Sequence, residues 1–365
     1  MRFKFTGKIK FNDDDSDRPS LRVGKTKKGA QYKSLSLGIT TDQSNWAFVE
    51  LFGMVSDVIK TVDVDNQRYE VNWEDRLDEE VVESVANYRK TFVNLTTDRE
   101  NSKAFVSPCD AIDYIIDNVY DLNDVNVCIT GDLAKNEYNG RLTDRFQIRS
   151  LYVVDDDVKP SFKVNSTYFF TKDDIDSADW KDEKKIVIDG YIDTYMSSEK
   201  ANKYVKHPVV FDASKVDYSN EDHIKIKDYN LRQLGLAEED GKITTPKLKG
   251  TKVYGLNMEF AYLNGAELAE FDESTLTDNQ KVAIELGLKT IDDFRPNGNV
   301  YGDRKTEYKI VGFDLRGDSA DGVYELDETK NEFMENTYTV VSQTDNEEET
   351  TSGESSDDGL DDLFS

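Results

Sequence analysis

Cysteine and histidine are nearly absent from this 365-residue chain, which carries two of each. Cys109 and Cys128 are far from any CxxC spacing, and His207 and His223 have no ligand-like neighbours. Neither a disulfide framework nor a zinc centre is indicated, and a reducing cytoplasm fits this usage best. No window approaches about 18 uncharged apolar residues, and the opening MRFKFTGKIKF alternates instead of running apolar as a signal-peptide core would. The expectation is a protein that is neither secreted nor membrane-spanning. The apolar fraction is also low, at 37%, but 18 Phe, 19 Tyr and 3 Trp supply large apolar area per residue, so packed cores remain possible. At this length two cores and a tail are expected.

Acid is present in excess, the formal net charge being −28. Against that background Arg22 to Lys33, RVGKTKKGAQYK, holds five basic residues and no acid. Its GKT is not a phosphate-binding loop, because that motif needs a glycine five positions before its second one and Pro19 stands there. The carboxylate runs Asp13-Asp14-Asp15, Asp155-Asp156-Asp157 and Asp173-Asp174 sit in turns and linkers, where solvated acids are the ordinary outcome. The RGD at Arg316 to Asp318 ends a strand pattern and reads as a turn. No catalytic residue, metal ligand or cofactor is expected.

Period-two patterning dominates the first third. Phe3, Phe5, Ile9 and Phe11 alternate with Lys4, Lys8 and Lys10; YKSLSLGIT (Tyr32 to Thr40) and NWAFVELF (Asn45 to Phe52) continue a three-strand meander. MVSDVIKTV and LDEEVVESVANYRKTF are expected to be helical, although the last third of the latter could equally be strand. PCDAIDYIIDNV reads as a helix with Pro108 in its first turn. VNVCITGDLAKNEYNGRLTDRFQIRSLYVV reads as two strands joined at Asn139-Gly140. A second unit opens near Lys159-Pro160: KKIVIDGYIDTYM, KHPVVFDAS, TKVYGLNMEFAYLNGAEL and TEYKIVGFDLRG as strands, with TDNQKVAIELGL as a helix behind a Thr-Asp cap. From Asp345 to Asp362 there are nine carboxylates and no base, a composition expected to be disordered.

The expected fold is therefore mainly β with α insertions. Residues 1–157 form a five-stranded oligonucleotide-binding (OB) barrel with an inserted segment at about 60–124, residues 158–341 a second, OB-like domain, and residues 342–365 a disordered acidic tail. A β-sandwich would show more strands and fewer helices.

With the elements placed, NWAFVELFGMVSDVI (Asn45 to Ile59) resembles the third strand and following helix of bacterial single-stranded DNA-binding proteins. Val125 to Asp157 is similar to their fourth and fifth strands, and SSDDGLDDLFS resembles their acidic C-terminal peptide. The resemblance covers residues 1–60, 124–157 and the tail. It departs in the insertion from Lys60 to Asp124, in the second domain, and in an ending of Leu-Phe-Ser instead of Ile-Pro-Phe; a bacteriophage-encoded member would accommodate all three.

An OB barrel binds single strands across its second and third strands and the adjoining first-to-second and fourth-to-fifth connections. Arg22, Lys25, Lys27, Lys28 and Lys33 fall on the first connection, Tyr138, Arg141 and Arg145 on the second, and Tyr32, Trp46 and Phe48 on the central strands. Cations neutralise phosphates and aromatic faces stack on bases. A strand aromatic is core more often than platform, and a lysine-rich loop is usually only solvated; their convergence on one barrel face favours the binding role. Leu360, Asp361, Asp362, Leu363 and Phe364 place apolar anchors among acids, as a basic-rimmed pocket on a replication or recombination protein would require. The expected function is non-catalytic coating and protection of single-stranded DNA in the cytoplasm of a bacterial host. The alternatives are a protein–protein adaptor or structural virion component without nucleic-acid binding and, behind it, an enzyme using its many acids.

Overall fold

β1 (Arg2–Lys10) follows from its alternation: Phe3, Phe5 and Ile9 are buried and Lys4 and Lys8 exposed, because successive strand side chains leave opposite faces. The computed structural model that places it describes the whole chain except residues 13–18, 42–44, 119–121, 139, 197, 266–275, 286–304 and 339–365. β2 (Leu21–Lys25) and β3 (Gln31–Thr40) form a hairpin, and β4 (Trp46–Met54) pairs antiparallel with β3. Then come β5 (Val58–Val62), β6 (Arg68–Asn72), α1 (Glu79–Ser84), β7 (Thr91–Asn94), β8 (Lys103–Phe105) and α2 (Pro108–Ile116). The long hairpin β9 (Asn126–Tyr138) and β10 (Arg141–Val153) follows.

Five of these strands close a circuit. β1 pairs with β9 through Arg2 to Lys8 and with β3 through Lys8 to Lys10; β3 pairs with β4, β4 runs parallel to β10 at Val49–Phe146, and β10 returns to β9. Two sequence expectations fail between β4 and β9. MVSDVIKTV is not a helix: β4 runs on to Met54, and the β-branched Val58, Ile59, Thr61 and Val62 pair with Arg68 to Asn72 as a hairpin, a conformation that suits branched side chains better than a helical turn. α1 spans only Glu79–Ser84 because Val85 turns extended, bridges Asp63 and is fully buried with Val71 and Val106 in a small satellite core. α2 forms as expected, Ser107 accepting the Cys109 N–H at 3.2 Å as its cap.

The second half begins with β11 (Ser161–Thr171), β12 (Ile175–Asp176), α3 (Trp180–Glu183), β13 (Lys185–Ile188), β14 (Tyr191–Met196), β15 (Ala201–Lys206) and β16 (Val209–Asp212). α4 (Glu221–Gln233) and the hairpin β17 (Ala237–Glu239) and β18 (Lys242–Thr244) lead to β19 (Val253–Gly265), α5 (Asp278–Glu285) and β20 (Lys305–Phe313). β21 (Tyr324–Glu325), α6 (Lys330–Glu335) and β22 (Thr337–Tyr338) complete the described elements. Pairings again run in a circle: β11 with β14, β13 with β16, β16 parallel to β20 at Val210–Lys309, β20 with β19, and β19 with β11. β13 and β14 are one run broken at Asp189-Gly190, and the break is tied by the buried Tyr168 hydroxyl, which accepts the Gly190 N–H at 2.8 Å.

The two rings are fused. β1 offers one edge to β9 and the other, over Arg2 to Thr6, to Asn165 through Ser161 of β11. Behind that shared strand an aromatic seam joins the interiors: Phe5 lies 4.7 Å from both Phe146 and Phe162, Phe146 5.0 Å from Tyr262, and Tyr262 5.1 Å from Tyr308, between ring centroids. A fully buried aromatic of this size contributes about 1.5–3 kcal/mol over its exposed state, so the seam is a principal part of the common core. No helix among the described residues is long and apolar enough to cross a membrane.

Candidate nucleic-acid interface

β3 and β4 pair Tyr32 with Met54, Ser34 with Phe52, Ser36 with Glu50, Gly38 with Phe48 and Thr40 with Trp46. Directly paired residues share a face. The odd-numbered Leu35, Leu37, Ile39, Ala47, Val49 and Leu51 fill the core, so the even-numbered set lies outside. That outer face carries an aromatic strip of Trp46, Phe48, Phe52 and Tyr32.

Its members are not equally available. Phe48 is 60% exposed, while Trp46 and Phe52 are half-buried. Tyr32 is only 8% exposed. Its ring lies against Gly24 across the β2–β3 pair, where any Cβ would come within 2.7 Å of it, and stacks on Phe52 with centroids 5.6 Å apart and planes at 27°. Tyr32 therefore supports the strip instead of offering a free face. Phe52 is not among the site residues expected from the sequence, and its shared parity with Trp46 and Phe48 is the signal that could have found it.

The basic segment is a tight hairpin, not an open loop. Thr26 donates its N–H to Ala30 O and Gly29 its own to Thr26 O, both at 2.8 Å, with Gly29 at φ +86, a conformation other residues adopt only with strain. Lys27 and Lys28 form the corner. Arg22, Lys25 and Lys28 are exposed and make no ion pair among the described residues. Arg22 pairs with Ser34 in register and so joins the face of Phe52.

Two expected cations are already engaged. Lys33 has the opposite parity and reaches Asp113 of α2 at 2.5 Å, which withdraws it from the strip. Arg145, on β10 beside β4, donates Nε to Glu50 Oε1 at 2.5 Å and holds the one carboxylate of the outer face of β3 and β4. Arg141 is exposed at the end of the long hairpin. The Tyr138 side chain and Leu360, Asp361, Asp362, Leu363 and Phe364 lie outside the described residues.

At its Trp46 end the strip opens into a cavity of about 570 Å³ lined by Trp46, Phe48, Asn264, Gly265, Lys305 and Thr306. Asn264 donates its N–H to Asn45 Oδ1 at 2.9 Å, which brings the second ring's β19 and β20 against the start of β4. Lys305 is 2.8 Å from Glu307. No local sequence signal could have joined these residues to Trp46, since they meet only through the fused rings.

Among the described residues no group of three or more His, Cys, Asp or Glu could hold a metal ion. Cys109, under the end of β4, is buried, and burial pushes its thiol up from the ordinary value, away from the thiolate a nucleophile needs.

No family model matches this chain, and no curated protein does. Among solved structures, a deletion mutant of the single-stranded DNA binding protein from Thermus aquaticus aligns at 10% identity over 72% of this chain and 86% of that one, with a TM-score of 0.28. The wild-type form of that protein aligns at 7% identity over 75% of this chain and 98% of that one, with a TM-score of 0.26. Overlap this small carries no inference about shared function.

Proposed function

We propose that this chain is a non-catalytic single-stranded DNA-binding protein whose first ring is an OB barrel. The observation that carries the proposal is one face on which Trp46, Phe48 and Phe52 lie with Arg22, next to a hairpin end where Lys25 and Lys28 are exposed and make no ion pair among the described residues. Stacking is tolerant of sequence because every base has a flat face, and each stacked base contributes about 1–3 kcal/mol. Local cations supply phosphate neutralisation that the chain's overall charge of −28 opposes at long range. Binding should accordingly be moderate and salt-sensitive. The second circuit, with the same order of strands and the same parallel contact between its third and fifth, is read as a second OB-like unit. In this proposal the protein coats DNA during replication or recombination, and residues 342–365 recruit partners through Leu363 and Phe364.

The test is a fluorescence titration with oligo(dT), mixed-sequence single strands and duplex at two salt concentrations. Tight, salt-dependent binding of both single strands over duplex is expected. Absence of binding at low salt, or equal affinity for duplex, would leave a protein–protein role as the better account.

A further inference from the structure

The second ring carries an aromatic face of its own, and that face is covered. β14 and β15 pair Tyr191 with Lys206, Asp193 with Tyr204 and Tyr195 with Asn202. Tyr191, Tyr195 and Tyr204 therefore share one face, with Phe169 of β11 paired beside Tyr191. These strands belong to the second and third positions of their circuit, as β3 and β4 do in the first. Tyr195, at the far end, is 55% exposed, but Tyr191 is buried.

The cover is α6. Phe333 is fully buried and stacks on Tyr204 with centroids 4.2 Å apart and planes at 26°, meeting Tyr191 edge-on at 5.3 Å and 84°. A near-parallel ring at that separation has the geometry of a base stacked on tyrosine. Phe333 is the only buried side chain of this six-residue helix. Its other attachments are polar: the reciprocal capping of Thr329 and Glu332, the pair of Lys330 with Asp173 at 2.6 Å, the two-residue pairing of β22 with β15, and Tyr338 hydrogen-bonded to Glu137. Asp173 is 70% exposed, and ion pairs so open to solvent hold little.

We propose that the outer face of β14 and β15 is a second single-strand-binding surface, taking an unpaired nucleobase on Tyr204 and Tyr191, and that Phe333 occupies the base's position until α6 lifts. The proposal rests on single-strand binding by the first ring. On this face, among the described residues, Lys206 is paired with Asp189 and Asp193 lies exposed opposite Tyr204, while Lys200 and Lys203 stand on the hairpin that the two strands form. The second surface therefore engages a strand that the first ring already holds, and it adds stacking with little added salt dependence.

The full chain is compared with Phe333→Ala and with the double variant Thr329→Ala/Lys330→Ala, which loosens α6 without touching the aromatic cluster. Photo-crosslinking to halogenated oligo(dT), mapped by mass spectrometry, is combined with titrations of a short and a long strand. In the parent protein crosslinks should be confined to the strip of the first ring. Both variants should add crosslinks at Tyr204 or Tyr191 and bind the long strand about threefold tighter or more, with the short strand unchanged. Unchanged crosslinks and long-strand affinity in variants that still unfold cooperatively would overturn the proposal, and if Phe333→Ala does not fold the double variant decides alone. Failure of every protein to bind would instead remove the reading of the first ring, and this one with it.

Discussion

Tyr308 donates its hydroxyl to Asp144 Oδ2 over 2.6 Å, linking the last strand of the second ring to the long hairpin of the first. Lys135 stands 2.5 Å from the other carboxylate oxygen. Burial, reinforced by the neighbouring carboxylate, holds the Tyr308 hydroxyl well above its ordinary value, so it remains a proton donor throughout the physiological range. Separating the rings would cost the half-buried Asp144 this donor and leave it to Lys135 alone. This fixes the strip on β4 relative to Lys305 and Thr306.

Tyr308→Phe should therefore destabilise the whole chain by about 1.5–3 kcal/mol, the range for a hydrogen bond to a charged group. Urea unfolding would show a lower midpoint with an unchanged slope. An unchanged midpoint would mean that the hydroxyl does not tie the rings.

Phe48→Ala should cost about 1–3 kcal/mol in oligo(dT) affinity while leaving the melting temperature nearly unchanged, because the ring is already mostly in solvent. Tyr32→Ala should behave differently and lower stability together with affinity, since it removes the support beneath Phe52. Equal effects of the two substitutions on stability would contradict this division.

Neutralising Lys25, Lys27 and Lys28 together should weaken binding and flatten its salt dependence. Each lost phosphate contact reduces the slope of log K against log salt by about 0.7 for single strands. An unaltered slope, measured from titrations at several salt concentrations, would assign the hairpin to the solvated surface.

Glu50→Gln removes a carboxylate from the binding face and should tighten single-strand binding by about two- to fivefold at low salt, within the range of partly exposed charge effects. Arg145→Ala leaves Glu50 facing the phosphates without its partner and should weaken binding. Opposite signs are the expected result of parallel titrations, and the same sign for both would place the strand elsewhere.

His207 is 1% exposed, with no hydrogen-bond partner for Nε2 among the described residues. Burial first, then the nearby Lys135 charge, pushes its pKa well below the ordinary 6.5. The unfolded chain takes up a proton as pH falls through 6.5 and the folded chain does not. The contribution is therefore complete above that pH and is lost below it, at up to about 1.4 kcal/mol per pH unit. Between pH 7 and 5.5 the stability loss of His207→Phe should be smaller than that of the parent by about 1 kcal/mol. Identical losses in denaturant titrations would show that another group carries the dependence.

The sequence by itself determined the strands of the first ring and the helix α2. Phe3, Phe5 and Ile9 alternate with lysines, Asn139-Gly140 separates two alternating runs, and Ser107 with Pro108 opens an apolar helical face; each is a local steric or capping preference that needs no distant partner. It also determined that Trp46 and Phe48 share parity and that the bases of Arg22 to Lys28 stand close together. Val58 to Val62 reads as helix at that level and is a strand, because a short branched apolar run suits either until Arg68 to Asn72 pairs with it. Tertiary structure alone decided which of the charges and rings are free. Lys33 meets Asp113, Arg145 meets Glu50 and Phe333 meets Tyr204 only because strand closure brings distant segments together. Side-chain chemistry specifies what a residue can bind, and the folded chain determines which partner reaches it first.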